Sequence, residues 1–211
     1  MNLDPKSLRL LGCLIEKEMT TPEYYPMTVN ALTAAANQKT NRDPVVAYSE
    51  SEVADQIAAL RELGLVRAVS SPGSRAAKFK HALADVLEID GEQAALLAVL
   101  MLRGEQTSGE LRLRTQRYHH FEQLDAVEEV LHGLESRQHP LVTRLERRPG
   151  EKEPRYRHLL GGDPVEETGA DPALSGPPEA TAENLEARIA QLEARVARLE
   201  GAGGPTDDSP P

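Results

Sequence analysis

A mainly α chain with small β-hairpins, arranged as two tandem winged-helix domains, is what three features of the sequence predict. These are an internal repeat, a series of helix-capping signals, and a heptad-spaced segment beyond an acidic linker. The repeat sets the architecture and is read first. Val53, Ile57 and Leu60 match Val127, Leu131 and Leu134, and Leu65-Val66 matches Leu141-Val142. Pro72-Gly73 then matches Pro149-Gly150, and Lys78-Phe79-Lys80-His81 matches Arg155-Tyr156-Arg157-His158. Each copy ends in cation, aromatic, cation, histidine.

Within the first copy, Asp4 caps a helix whose first position is Pro5, and Leu8, Leu11 and Ile15 form its apolar stripe. Thr28 caps a second helix that runs to Ala36. Ser49 with Glu52 three residues on forms a capping box for a third, and Gly64 stops it. Leu65 to Val69, a Ser-Pro-Gly-Ser turn and Ala76 to His81 make a hairpin. The second copy repeats the plan with Asp90 and Gln93, Thr107 and Glu110, and Asp125 and Glu128 as its caps. Its hairpin is predicted from Leu141 to Leu145 and Arg155 to Leu159. Three short helices followed by a two-stranded wing is the winged-helix order.

Five runs of residues resemble the YceH family of bacterial proteins. In the first copy they are Leu14-Ile15-Glu16-Lys17, Thr21-Pro22-Glu23-Tyr24-Tyr25-Pro26 and Asn37-Gln38-Lys39-Thr40-Asn41-Arg42-Asp43-Pro44-Val45. In the second they are Met101-Leu102-Arg103-Gly104-Glu105-Gln106-Thr107 and Gly109-Glu110-Leu111-Arg112. The resemblance covers residues 5 to 161 and implies tandem winged-helix domains. It carries no catalytic or ligand residue onto this chain.

The 211 residues hold 24 Lys plus Arg against 34 Asp plus Glu, a net charge of −10. That charge is not evenly spread. Residues 1–85 are neutral, 86–160 carry −2, and 161–211 carry −8. The expected organisation is therefore a first domain at 1–85, a second at 86–160, a flexible acidic linker at 161–182, a helix at 183–200 and a disordered tail at 201–211. One Cys cannot form an internal disulfide, so a reducing compartment is expected. No apolar stretch approaches the roughly 18 residues of a spanning helix, and no basic segment precedes an apolar run at the start. A soluble cytoplasmic protein without a membrane partner is the expectation.

Leu185, Ile189, Leu192, Val196 and Leu199 are spaced four, three, four, three. With Ile189 and Val196 at heptad position a and the leucines at d, the pattern favours a parallel two-stranded coil. Arg188 and Arg195 then fall opposite Glu193 and Glu200 of a second copy. A homodimer is expected, although two and a half heptads make a weak coil alone.

The charge pattern bears on nucleic-acid binding. The third helices are acidic: residues 49–63 net −3 and residues 122–137 net −4. Inserted in a groove, they would face phosphate, which disfavours conventional readout. The cations lie on the wings, as Arg75, Lys78 and Lys80 in the first and Arg155 and Arg157 in the second. Arg112, Arg114 and Arg117 add a segment without acids. Duplex DNA gripped by its phosphates is one expected partner, with a role in transcription regulation. A partner protein docked on the acidic helices is the alternative.

The polar run from Asn37 to Pro44 reads most simply as a rigid turn that aims the third helix. The sharper reading makes Lys39, Asn41 and Arg42 a small anion or partner site. Cys13, among Leu10, Leu11, Leu14 and Ile15, reads as a buried hydrophobe. His119, His120, His132 and His139 match no zinc spacing, and no phosphate-loop, zinc-protease or serine-elbow motif occurs. No enzyme activity, metal or cofactor is expected.

Overall fold

Asp4 opens the first helix in the manner its sequence implies. In a computed structural model, which describes residues 1–69, 76–147 and 150–161, its carboxylate accepts from the Lys6 and Ser7 amides at 2.9 and 3.0 Å. The helix, α1, spans Pro5–Thr20. After a short 3-10 turn at Pro22–Tyr24, Thr28 caps α2, Val29–Ala36. The Ser49 and Glu52 capping box is formed and starts α3, Glu50–Glu62. Gly64, at φ 72°, then supplies the left-handed residue that ends it. The antiparallel pair β1, Val66–Val69, and β2, Lys78–His81, follows.

A short helix not anticipated from the sequence, α4 at Leu83–Leu87, leads into the second copy. There α5, Gly91–Arg103, starts on the Asp90 and Gln93 box, and α6, Ser108–Thr115, on the Thr107 and Glu110 box. The third helix departs from expectation. It spans Leu124–Glu135 as α7, with Gln123 at its N-cap and no side-chain cap bond. Asp125 is the second residue of the helix, in its first turn, and the Glu128 carboxylate accepts from the Ser108 hydroxyl at 3.1 Å instead of capping.

Gln106–Thr107 forms a short strand, β3, also unanticipated. It pairs with β5, Arg155–His158, which in turn pairs with β4, Val142–Arg144, for a sheet order β3-β5-β4. The first copy carries the same device in reduced form. Met27, just before the α2 cap, bridges Phe79 through two backbone hydrogen bonds of 3.0 and 2.7 Å. Phe79 and Tyr156 are the matching aromatics of the repeat, so in both copies the residue ahead of the second helix seats the aromatic strand. The architecture is mainly helical with two small antiparallel sheets.

All the matched apolar positions are buried: Val53, Ile57, Leu60, Leu65 and Val66, and Val127, Leu131, Leu134, Leu141 and Val142. The two cores are continuous with each other through α1 and α5. Leu10, Leu11, Cys13, Leu14 and Ile15 on α1 and Leu96, Leu97 and Leu100 on α5 have no exposed surface. Each buried leucine contributes roughly 1.5–3 kcal/mol. Gly12 allows the close approach, since a Cβ there would lie 2.9 Å from Leu102 Cγ. Leu3 N–H donates to Leu160 O at 2.9 Å, which ties the start of the described body to its end. Among the described residues no helix is long and apolar enough to cross a membrane.

Candidate nucleic-acid interface

Strand alternation places the wing cations. On β2, Phe79 and His81 turn inward and are 7% and 8% exposed, so Lys78 and Lys80 face outward beside them. Lys80 sits across from Arg67, and Lys78 across from Val69. Arg67 is paired with Asp85 at 2.8 Å, whereas Lys78 and Lys80 have no ion-pair partner among the described residues. Arg75 lies outside the described residues.

The second wing is built differently. Arg155 is occupied from within: Nη1 donates to Glu110 Oε2 at 2.9 Å and to Glu105 O at 3.2 Å, and Nε donates to Glu151. Burial works against its charge, but its hydrogen bonds to Glu151 and the charge of Glu110 outweigh it, and its pKa rises. Arg157 is half-buried, and its Nε has no partner. Beside it His158 is held neutral, its pKa lowered to about 4 by burial first and by the Arg157 charge second.

On α6, Arg112 donates to Glu122 O at 3.3 Å and Arg114 to Glu110 Oε1 at 3.3 Å. Arg117, in the turn beyond, is exposed and without a partner. Of the eight cations expected to meet phosphate, Lys78, Lys80, Arg112, Arg117 and Arg157 therefore have no carboxylate partner among the described residues.

The Asn37 to Pro44 turn is rigid for a specific reason. Asn37 holds Tyr48 at both backbone groups, donating from Nδ2 to its O at 2.7 Å and accepting its N–H at 2.8 Å. Arg42 turns inward rather than out to an anion. Its side chain is fully buried and forms a bidentate pair with Glu16, while also donating to Ala35 O, Gln38 Oε1 and Asn41 O. An outside anion cannot reach that guanidinium, because Glu16 already fills the site with a carboxylate. Lys39 and Asn41 are exposed, and Asn41, at φ 60°, accepts from Arg103.

Glu16 is the residue that sequence spacing missed. Burial opposes its charge, yet Arg42 and a 2.9 Å hydrogen bond from the Tyr118 hydroxyl leave its pKa below the usual carboxylate value. The signal was a carboxylate next to Leu14 and Ile15 on a helix buried all round. Tyr118 brings the second copy into this network, so the carboxylate joins the two copies of the repeat.

Outward faces of the third helices are acidic. Glu50, Glu52, Asp55 and Glu62 are exposed on α3, and Asp125, Glu128 and Glu129 on α7. Cys13 is fully buried, and burial pushes its thiol up to about 11. The coil positions Leu185, Ile189, Leu192, Val196 and Leu199 lie outside the described residues.

Comparison with known proteins extends the sequence resemblance. A "UPF0502 protein" of Geobacter metallireducens is 50% identical over 185 residues, covering 88% of this chain and 83% of its own length. One from Geotalea uraniireducens is 52% identical over 166 residues, covering 78% and 74%. Another from Opitutus terrae is 45% identical over 188 residues, covering 89% and 81%. The family described as "Protein of unknown function, DUF480" matches residues 3–151, across both copies of the repeat. In keeping with its YceH-like motifs, the chain belongs to that DUF480 family.

Proposed function

We propose that this chain is a cytoplasmic, non-enzymatic tandem winged-helix protein that binds duplex DNA through its first wing and acts in transcription regulation. The carrying observation is that Lys78 and Lys80 project from one face of β2 with no acidic partner among the described residues. By contrast, Arg42, Arg67, Arg114 and Arg155 each have a carboxylate. A charged pair left open on a hairpin suits phosphate. The winged-helix reading is supported by the helix, helix, helix, strand, strand order in both copies and by the matching Met27 and Gln106 pairings. Pairing of residues 183–200 between two copies would present two such wings to one duplex.

Acidic third helices point to a grip on the backbone with little base readout. Binding to random duplex DNA, followed by fluorescence anisotropy from low to moderate salt, is expected to be weak and steeply salt-dependent. Changing Lys78 and Lys80 together to Ala removes two phosphate contacts and flattens the log–log salt slope by about 2. An unchanged slope, or no binding at low salt, would overturn the reading. The second reading is a protein adaptor, favoured by the exposed carboxylates of α3 and α7, which suit a basic partner surface.

A further inference from the structure

Between the copies, where Glu16 meets Tyr118, lies a cavity of about 260 Å³ that Arg103, Arg114 and Arg117 line together. Asn41, Gln116 and Tyr118 complete its polar lining, and Leu113 adds an apolar wall. The charges there do not cancel. Arg114 has only a share of Glu110, whose other oxygen is taken by Arg155 at 2.9 Å. Arg103 meets only the neutral amide oxygen of Asn41, and Arg117 has no partner. Glu16, at the cavity edge, is already neutralised by Arg42.

Burial, and then the neighbouring Arg114, lower the pKa of Arg103, which marks a cation held against its own preference. Such clusters persist where an anion is to be bound, because guanidinium forks match the oxygens of a phosphate in bidentate fashion. Lysine ammonium groups at the same sites would lack that geometry.

We propose that this cavity is a binding site for a small molecule bearing a phosphate monoester, with Arg103 and Arg117 as its main ligands and Arg114 as the third. The dianionic group balances the surplus positive charge, and Leu113 with the Tyr118 ring contacts the organic part. Its place between the copies means that a bound ligand touches residues of both, Asn41 from the first and the arginines from the second. The site is separate from the β2 lysines and does not depend on DNA binding.

Calorimetric titration of the full chain with ribose 5-phosphate tests the proposal, with ribose and with sodium chloride of matched ionic strength as controls. Saturable one-site binding of the phosphate ester alone is expected, with a matching rise in melting temperature. Arg117→Ala, at an exposed position that leaves the fold intact, is expected to weaken binding by about tenfold, and Arg103→Gln similarly. Lys78→Ala with Lys80→Ala leaves it unchanged. No saturable heat and no thermal shift would overturn the site, as would equal binding by the Arg117→Ala protein. A failure of DNA binding would leave this outcome untouched, so the two readings fail separately.

Discussion

His81 and His158 hold the same place in the two copies and meet opposite chemistry. Both have a buried Nδ1 without a partner, but His81 Nε2 lies 2.6 Å from a Glu18 carboxylate oxygen, whereas His158 has the Arg157 cation beside it. The folded pKa of His158, about 4, lies below the ordinary 6.5. Between those values the unfolded chain binds the proton and the folded chain does not, so stability rises with pH across the window. Its contribution is complete above pH 6.5 and is lost as pH falls toward 4, amounting to about 3 kcal/mol at most. Urea unfolding at intervals from pH 7 to pH 4 is expected to show this slope, and His158→Asn is expected to flatten it. An unaltered slope would place the acid sensitivity in other groups.

The matching of these two histidines was legible, since each closes the same tetrapeptide, but their environments were not. Glu18 reaches His81 from 63 residues away, and the burial that acts on His158 is set by tertiary packing. The same limit applies to Arg42. Its turn was readable as rigid from Asn and Pro chemistry, but its carboxylate partner Glu16 is 26 residues away, and no local pattern links them. Among the expected phosphate ligands, the carboxylate partner of Arg155 is hidden for the same reason: Glu110 reaches it from α6, 45 residues earlier.

Helices were legible where their signals are local. A capping box joins residues three apart, and Ser49, Asp90 and Thr107 each form theirs. Asp125 offered an equivalent pattern that failed because Glu128 instead accepts from Ser108. β3 escaped notice because two residues joined by main-chain bonds leave no side-chain period. Two helical glycines show how packing divides elements that the sequence treats alike. At Gly133 on α7 an added Cβ meets nothing within 4 Å, so Gly133→Ala gains the helix preference of alanine, about 1 kcal/mol. Gly12→Ala has the same preference but drives a carbon to 2.9 Å from Leu102 Cγ and 3.3 Å from Met101 Cβ. Overpacking of about 1–3 kcal/mol then outweighs the gain, and a net loss is expected. Urea midpoints of the two variants should move in opposite directions; a shared increase would mean that α1 and α5 are not tightly seated.

At the scale of the molecule, periodicity identified a stripe on each helix but understated how much of α1 and α5 is buried. From Ser7 to Glu16, and from Ala94 to Leu102, every residue is buried. A helix apolar all round needs neighbours on several sides, and for α1 those neighbours include its own copy on one side and α5 on another. Neither copy then has a closed core of its own, because removing one exposes the inner face of the other's first helix. The expected consequence is one cooperative unfolding transition for residues 1–161. With no Trp in the chain, Phe79→Trp and Tyr156→Trp provide one fluorescent reporter in each copy at matching positions of the repeat. For each variant the fluorescence midpoint in urea should coincide with its own circular-dichroism midpoint. Two separated transitions, one per reporter, would show instead that the copies fold as independent bodies and that the α1–α5 contact is a docking surface between them.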